Sequence, residues 1–224
     1  MLQFATSSNK RFTSTEQVQL ALKGGCMWVR LTGKVDAEEA EPAVKMCTEA
    51  GAILIIDNDI ALVDKLRVHG VHFTSWTRGS LIAARETLGP HAIIGVTCTD
   101  IAAVEELRGL DVDYVTFPLP EAAKVKPEAA EAKHEGTKAT PEGVEVLPYY
   151  ASVVKAVEAI KHPEFKLHPV ASGSFPDEML TQILDTGIEG FEMSESFISA
   201  PDPVYAIEKV NEILSDYIGD RVKS

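Results

Sequence analysis

The sequence predicts a single-domain α/β protein, a (β/α)8 (TIM) barrel over residues 1–224, and three observations lead there. Short β-rich runs alternate with helical patterns from one end of the chain to the other. Spread over 224 residues, eight such strand-then-helix units average about 28 residues each, the compact end of the barrel's size range. No G-x-G-x-x-G follows the first run, which counts against a doubly wound open sheet, the alternative α/β arrangement.

The expected strands are Leu2–Thr6, Cys26–Leu31, Ile53–Asp57, Gly70–Phe73, Ala92–Val96, Asp113–Pro118, Leu167–Ala171 and Ile188–Met193. The helices between them carry their own starts and stops. Ser14 with Gln17 reads as a capping box before Val18, Leu20 and Leu22, with Gly24-Gly25 as the stop. Pro42 suits a first helical position, and Val44 and Cys47 then share a face until Gly51. Asp100 caps Ile101, Val104 and Leu107. Stripes follow at Val153, Val157 and Ile160, at Met179, Leu180, Ile183 and Leu184, and at Ile207, Val210 and Leu214 behind Asp202-Pro203.

One stretch breaks this rhythm. Residues 118–148 form a charged, Ala-rich insertion after strand six. In a barrel it would hang over the C-terminal mouth, either as a working loop or as a solvated surface segment.

Composition narrows the function. Hydrophobic residues are 45% and charged residues 25%, an ordinary globular balance. The 21 Lys+Arg against 34 Asp+Glu give a formal charge of -13, which argues against a nonspecific grip on nucleic acid or an anionic membrane. An anionic ligand would need locally concentrated cations. No apolar run reaches the roughly 20 residues that span a bilayer, and Met1-Leu2-Gln3-Phe4 lacks a leader pattern, so a cytoplasmic protein is expected. Cys26, Cys47 and Cys98 lack CxxC spacing and read as reduced, buried thiols.

Barrel chemistry sits at the C-terminal ends of strands, and Arg30, Asp57, Thr97 and Ser172 are expected together at that end. Asp57-Asn58-Asp59 offers oxygens to Mg2+ or, equally, a helix N-cap. Ser172-Gly173-Ser174 precedes a helix opened by Pro176 and suits either phosphate on backbone N–H groups or a plain turn. Lys34 and Lys138 are the cations placed to reach the mouth, and His72 and His168 read as core or rim histidines.

From about Gly24 to Leu214 the chain resembles the thiamine phosphate synthase/TenI family of barrels. The pieces that carry the likeness are "GCMWVRLTGK", "AGAILIIDND", "GVHF", "AARETLGPHAIIGVTCTDIAAVEEL", "GTKATPEGVEVL" and "ISAPDPVYAIEKV". They are similar, in order, to the family's Val-Gln-Leu-Arg-x-Lys strand, its Asn-Asp-Arg strand end, Gly-Val-His-Leu, an Ile-Gly-Val-Ser strand, a Thr-Lys loop and a closing Ala-x-Asp-Pro. The resemblance implies a transferase of thiamine biosynthesis that joins a pyrimidine methyl pyrophosphate to a thiazole phosphate, with Mg2+ as cofactor. It places Lys34, Lys138 and Thr97 in the catalytic set. Arg30, Thr32, Ser172, Gly173, Ser174 and Ser194 fall among substrate and phosphate binders, and Asp57 and Asn58 stand at the metal. It also implies a small phosphorylated heterocyclic substrate and a homodimer.

The departures are specific. Thr32 stands for the strand-two arginine, with Arg30 two residues earlier on the same side of the strand, and the metal aspartates fall on Asn58 and Thr77. Glu195 follows the last strand where a serine is expected, and Thr99 replaces the histidine of TenI-type tautomerisation, with Cys98 adjacent. Two other readings therefore stand beside the transferase. One is a TenI-like isomerase or a lyase using Cys98 or an acidic strand end as proton carrier. The other is a catalytically lapsed barrel that binds a phosphorylated or heterocyclic ligand.

Overall fold

The computed structural model describes residues 1–118, 154–160 and 165–223. Eight parallel strands close on themselves in sequence order: β1 (Leu2–Ala5), β2 (Trp28–Leu31), β3 (Ile53–Asp57), β4 (Gly70–Phe73), β5 (Ile93–Thr97), β6 (Tyr114–Pro118), β7 (His168–Ser172) and β8 (Gly190–Met193). Closure comes from β1 against β8, with Leu2, Gln3 and Phe4 opposite Phe191, Glu192 and Met193. Around them lie α1 (Ser14–Lys23), α2 (Ala37–Ala50), α3 (Ile60–Leu66), α4 (Arg78–Leu88), α5 (Ile101–Glu106), α6 (154–160), α7 (Asp177–Asp185), the short α8 (Glu195–Ile198) and α9 (Pro203–Lys223).

Strand alternation divides the molecule into two interiors. Phe4, Val29, Leu31, Leu54, Ile56, Val71, Ile94, Val96, Val115 and Phe191 face outward and form one core with the helices. That core includes the stripes Ile183–Leu184, Val157 with Ile160, and Ile207, Val210 and Leu214. Residues of opposite phase fill the barrel, and they are unusually polar: Gln3, Arg30, Asp57, His72, Thr116 and Glu192 are all buried, with Tyr114 among them. Tyr114 fits only because β5 carries Gly95 opposite it. A Cβ at Gly95 would lie 2.1 Å from the Tyr114 ring.

The ends of several elements differ from the sequence expectation. The capping box of α1 is Thr13 with Glu16, one residue early, because Gln17 is taken up inside: it accepts from Ser7 N at 2.9 Å and donates to Ser7 O at 2.8 Å, bracing the β1–α1 loop. Pro42 lies within α2 rather than at its start, since Asp36 and Glu39 form an earlier capping box. Strands β5 and β7 run one residue further toward the mouth, where Thr97 pairs with Thr116 and Ser172 with Glu192. Asp100 caps α5 as expected. The 118–148 insertion beyond Pro118, and Val153, lie outside the described residues.

The fit of Tyr114 over Gly95 gives a stability prediction. Gly95→Ala should lower the urea-unfolding free energy by about 1–3 kcal/mol through overpacking. Gly79→Ala, inside α4 with no atom nearer than 3.8 Å to the new methyl, should be neutral or stabilising by about 0.5–1 kcal/mol.

Candidate active site

Asp57, Thr97 and Ser172 close β3, β5 and β7, and Arg30 is the penultimate residue of β2, so the four lie toward one end of the barrel, as the sequence reading expects. Two of them, Arg30 and Asp57, form a buried ion cluster with Glu192 of β8. The Arg30 guanidinium donates through Nε to Asp57 Oδ1 at 2.7 Å and through Nη2 to Oδ2 at 3.4 Å. Its Nη1 donates to Glu192 across the barrel. All three residues are no more than 6% exposed, so the pairing carries little solvent screening. Burial alone would depress the Arg30 pKa, but the two carboxylates outweigh it and raise it above the usual range. Burial raises the Asp57 carboxyl, and Arg30 and the Gly33 N–H offset only part of that rise.

Each carboxylate then reaches further. Asp57 Oδ2 accepts from Gly33 N at 3.2 Å, which fixes the β2–α2 loop that carries Lys34. Glu192 Oε1 accepts from Ser172 Oγ at 2.6 Å. From β1, the Gln3 amide lies against Glu192, Trp28 and Tyr114. Tyr114 Oη is 2.9 Å from His72 Nδ1, and His72 Nε2 is 2.9 Å from Thr97 Oγ1. The barrel interior is thus one polar chain running from β8 to β5.

The other residues singled out by sequence lie around this cluster. Lys34 is exposed on its loop. Thr32 binds back to β1, its hydroxyl donating to Thr6 O and its backbone N–H donating to Thr6 Oγ1 at 3.0 Å. The Gly173 N–H goes to Glu192 O at 2.9 Å, so it is spent on the barrel rather than turned toward a phosphate. Ser174 is exposed beside it. Ser194 precedes α8, and its Oγ, like that of Ser196, is buried without a hydrogen-bond partner among the described residues. Glu195 turns to the β1–α1 loop and accepts from Ser7 and Asn9. Lys138 lies outside the described residues.

The donor set does not fit a divalent metal. Asp57 is committed to Arg30 and Gly33, Asn58 bridges to Thr74 through 3.0 Å hydrogen bonds, Asp59 caps α3, and Thr77 caps α4. Among the described residues no three His, Cys, Asp or Glu side chains converge. For this position the helix-cap reading of the Asp-Asn-Asp run holds at Asp59. Cys98 is buried, and desolvation, reinforced by Asp100 and Glu106, pushes its thiol up to about 12, which favours the protonated form.

Sequence reasoning missed Glu192, Gln3 and Tyr114. The signal was phase: Gln3 and Glu192 each stand one residue out of step with the apolar face of a short strand, where a polar side chain points into the barrel.

Two outcomes follow from this geometry. Arg30→Gln strands two buried carboxylates and should cost about 3–5 kcal/mol in urea unfolding, whereas the double variant Arg30→Gln/Asp57→Asn should recover part of the loss. Calorimetric titration of the free protein with Mg2+ should show no saturable binding below about millimolar, because Asp57 would first have to leave Arg30. Tight binding would mean that Asp57 or Asp59 takes up the ion.

Comparison with known proteins bears on the same barrel. A family model described as Thiamine monophosphate synthase matches residues 2–153. The chain is 28% identical over 217 residues to the thiamine-phosphate synthase of Bacteroides fragilis strain YCH46, covering 95% of this chain and 98% of that one. It is 29% identical over 214 residues to the thiamine-phosphate synthase of Bacteroides thetaiotaomicron, covering 93% and 95%. Among solved structures, the thiamine phosphate pyrophosphorylase of Pyrococcus furiosus superposes with a TM-score of 0.71 at 19% identity, covering 96% of each chain. That of Bacteroides thetaiotaomicron superposes with 0.60 at 13% identity, covering 96% and 97%; at such identities the likeness is one of fold. The family model spans more than half of the sequence, and the chain belongs to the thiamine monophosphate synthase family.

Proposed function

We propose that this chain is a cytoplasmic transferase that joins a pyrimidine methyl pyrophosphate to a thiazole phosphate, releasing pyrophosphate. The observation that carries the reading is the family match over residues 2–153, extended by relatives of that activity along almost the whole chain. In this reaction the bond from the methylene carbon to the pyrophosphate oxygen breaks, and a bond from that carbon to the thiazole nitrogen forms. No proton needs to move between the partners. What the protein supplies is charge, with cations for the departing pyrophosphate and anions for the cation-like methylene it leaves behind.

Both kinds of charge have candidates in this chain. Lys34 sits on a loop that Asp57 anchors through Gly33, and Lys138, beyond the described residues, is the second cation of the set. Ser174, Ser194 and Ser196 lie on the same rim, where the Ser194 and Ser196 hydroxyls are donors awaiting an acceptor. Asp57 and Glu192 against Arg30 alone leave the cluster with a net negative charge, which suits a developing cation above it.

A second reading is a barrel that holds the pyrimidine without turning it over. It is supported by Asn58 and Thr77, which occupy the positions of carboxylates in the family pattern and are used as a loop bridge and a helix cap.

Incubation with both precursors and Mg2+, reading pyrophosphate and thiamine phosphate, separates the two. Product in stoichiometric amounts is expected, and Lys34→Ala should lower kcat/KM by roughly 10-fold or more, the loss of a charge-assisted hydrogen bond. Saturable pyrimidine binding with no product would select the second reading.

A further inference from the structure

The hydrogen-bond chain from Glu192 to Thr97 has a fixed direction, because two of its members can act in only one sense. The Trp28 indole N–H only donates, and the Glu192 carboxylate, paired with Arg30, only accepts. Gln3 lies between them. Its amide satisfies both when Nε2 donates to Glu192 Oε2 at 2.8 Å and Oε1 accepts from Trp28 Nε1 at 2.7 Å. The same Oε1 is 3.2 Å from Tyr114 Oη, so the phenol donates there. A phenol has one proton, and its oxygen therefore accepts from His72 Nδ1.

His72 is completely buried, and desolvation, with the Arg30 charge nearby, holds its pKa well below the usual value. The ring is neutral and carries its single proton on Nδ1. Nε2 is left as an acceptor, and the hydroxyl 2.9 Å away, Thr97 Oγ1, donates to it. Thr116 Oγ1 lies 3.2 Å from Thr97 Oγ1 and 3.5 Å from Val96 O, so its proton goes to the nearer oxygen. Thr97 keeps one lone pair and no proton to offer.

We propose that Thr97 is a specificity-determining residue that accepts a hydrogen bond at the barrel mouth, reading an N–H of a heteroaromatic amine and not a phosphate oxygen. The proposal rests on the pyrimidine-coupling reading of the mouth and gives a specific task to a position that the resemblance placed only in the catalytic set. A phosphate oxygen there would set lone pair against lone pair. Neighbouring hydroxyls behave alike, since Ser172 gives its proton to Glu192 and Thr32 gives its proton to Thr6 O. The floor of the mouth thus presents acceptors, and phosphate is left to Lys34 and the outer rim.

Two measurements on the full chain test this. Long-range 15N–1H NMR reads the His72 tautomer without any ligand; the Nδ1–H form is expected, and the Nε2–H form overturns the proposal. Calorimetry with 4-amino-2-methylpyrimidine and, separately, inorganic pyrophosphate then compares the wild type with Thr97→Val and Thr97→Ser. Thr97→Val should weaken the aminopyrimidine by about tenfold, leave pyrophosphate within about twofold, and be rescued by Thr97→Ser. Loss of pyrophosphate binding with the aminopyrimidine unchanged, or no change for either probe, overturns the proposal. If the wild type binds neither probe while His72 holds the Nδ1–H form, the pyrimidine-coupling reading fails and the proposal falls with it.

Discussion

Most of what is distinctive in this barrel depends on the pairing of one guanidinium with two carboxylates in a space almost closed to water. Arg30 brings a planar fork whose Nε and Nη2 edge meets Asp57 while Nη1 reaches Glu192. Burying three charges has a large desolvation cost, and only close geometry with added hydrogen bonds offsets it. Those added bonds come from Ser172, Gln3 and the Gly33 N–H. Strands β1, β2, β3, β7 and β8 are therefore tied at one level by side chains as well as by their ladders. The same bonds fix the Gln3 amide, and through it the sense of the side-chain hydrogen bonds that link Tyr114, His72 and Thr97.

The fold was legible because it is written in two periodicities. Strands such as Ile53–Asp57 and Gly70–Phe73 stand in the structure with the boundaries the sequence suggests, and stripes such as Ile207, Val210 and Leu214 are buried against the barrel. Errors fell at element ends, where one polar residue competes with another for the same task. Thr13 won the α1 cap from Ser14 because Gln17 was needed inside, and Asp36 opened α2 ahead of Pro42. Local sequence does not reveal such competition, since Gln17 meets Ser7 only after β1 and α1 have packed.

The site was half legible for a related reason. Arg30, Asp57, Thr97 and Ser172 could be placed together because strand ends in a barrel converge by topology alone. Their partners could not. Glu192 and Gln3 are single polar residues in apolar strands, and their importance comes from contacts between β8, β1 and β2, which are far apart in sequence. For the hydroxyls, location could be read from the sequence but the sense of their hydrogen bonds could not. Serine and threonine read as phosphate donors until the acceptors behind them are seen, and here Glu192, His72 and the Thr6 carbonyl take those protons first.

The cluster also acts as a unit in a way that single positions do not suggest. The family pattern that this chain resembles has neutral glutamine and asparagine where Arg30 and Asp57 stand. Introducing any one of the three charges alone into the barrel would leave it unpaired, at about 3–5 kcal/mol, a large share of the roughly 5–15 kcal/mol that holds a domain folded. With Arg30 and one carboxylate the charge balances; with both, the pair becomes a net anion braced by five strands. The second carboxylate therefore adds little that pairing alone requires. What it adds is direction, because Glu192 is the acceptor that turns Gln3, and Gln3 is what commits the Tyr114, His72 and Thr97 protons inward. The effect of the extra charge is thus felt on the far side of the barrel, at β5, where the ligand would meet a lone pair.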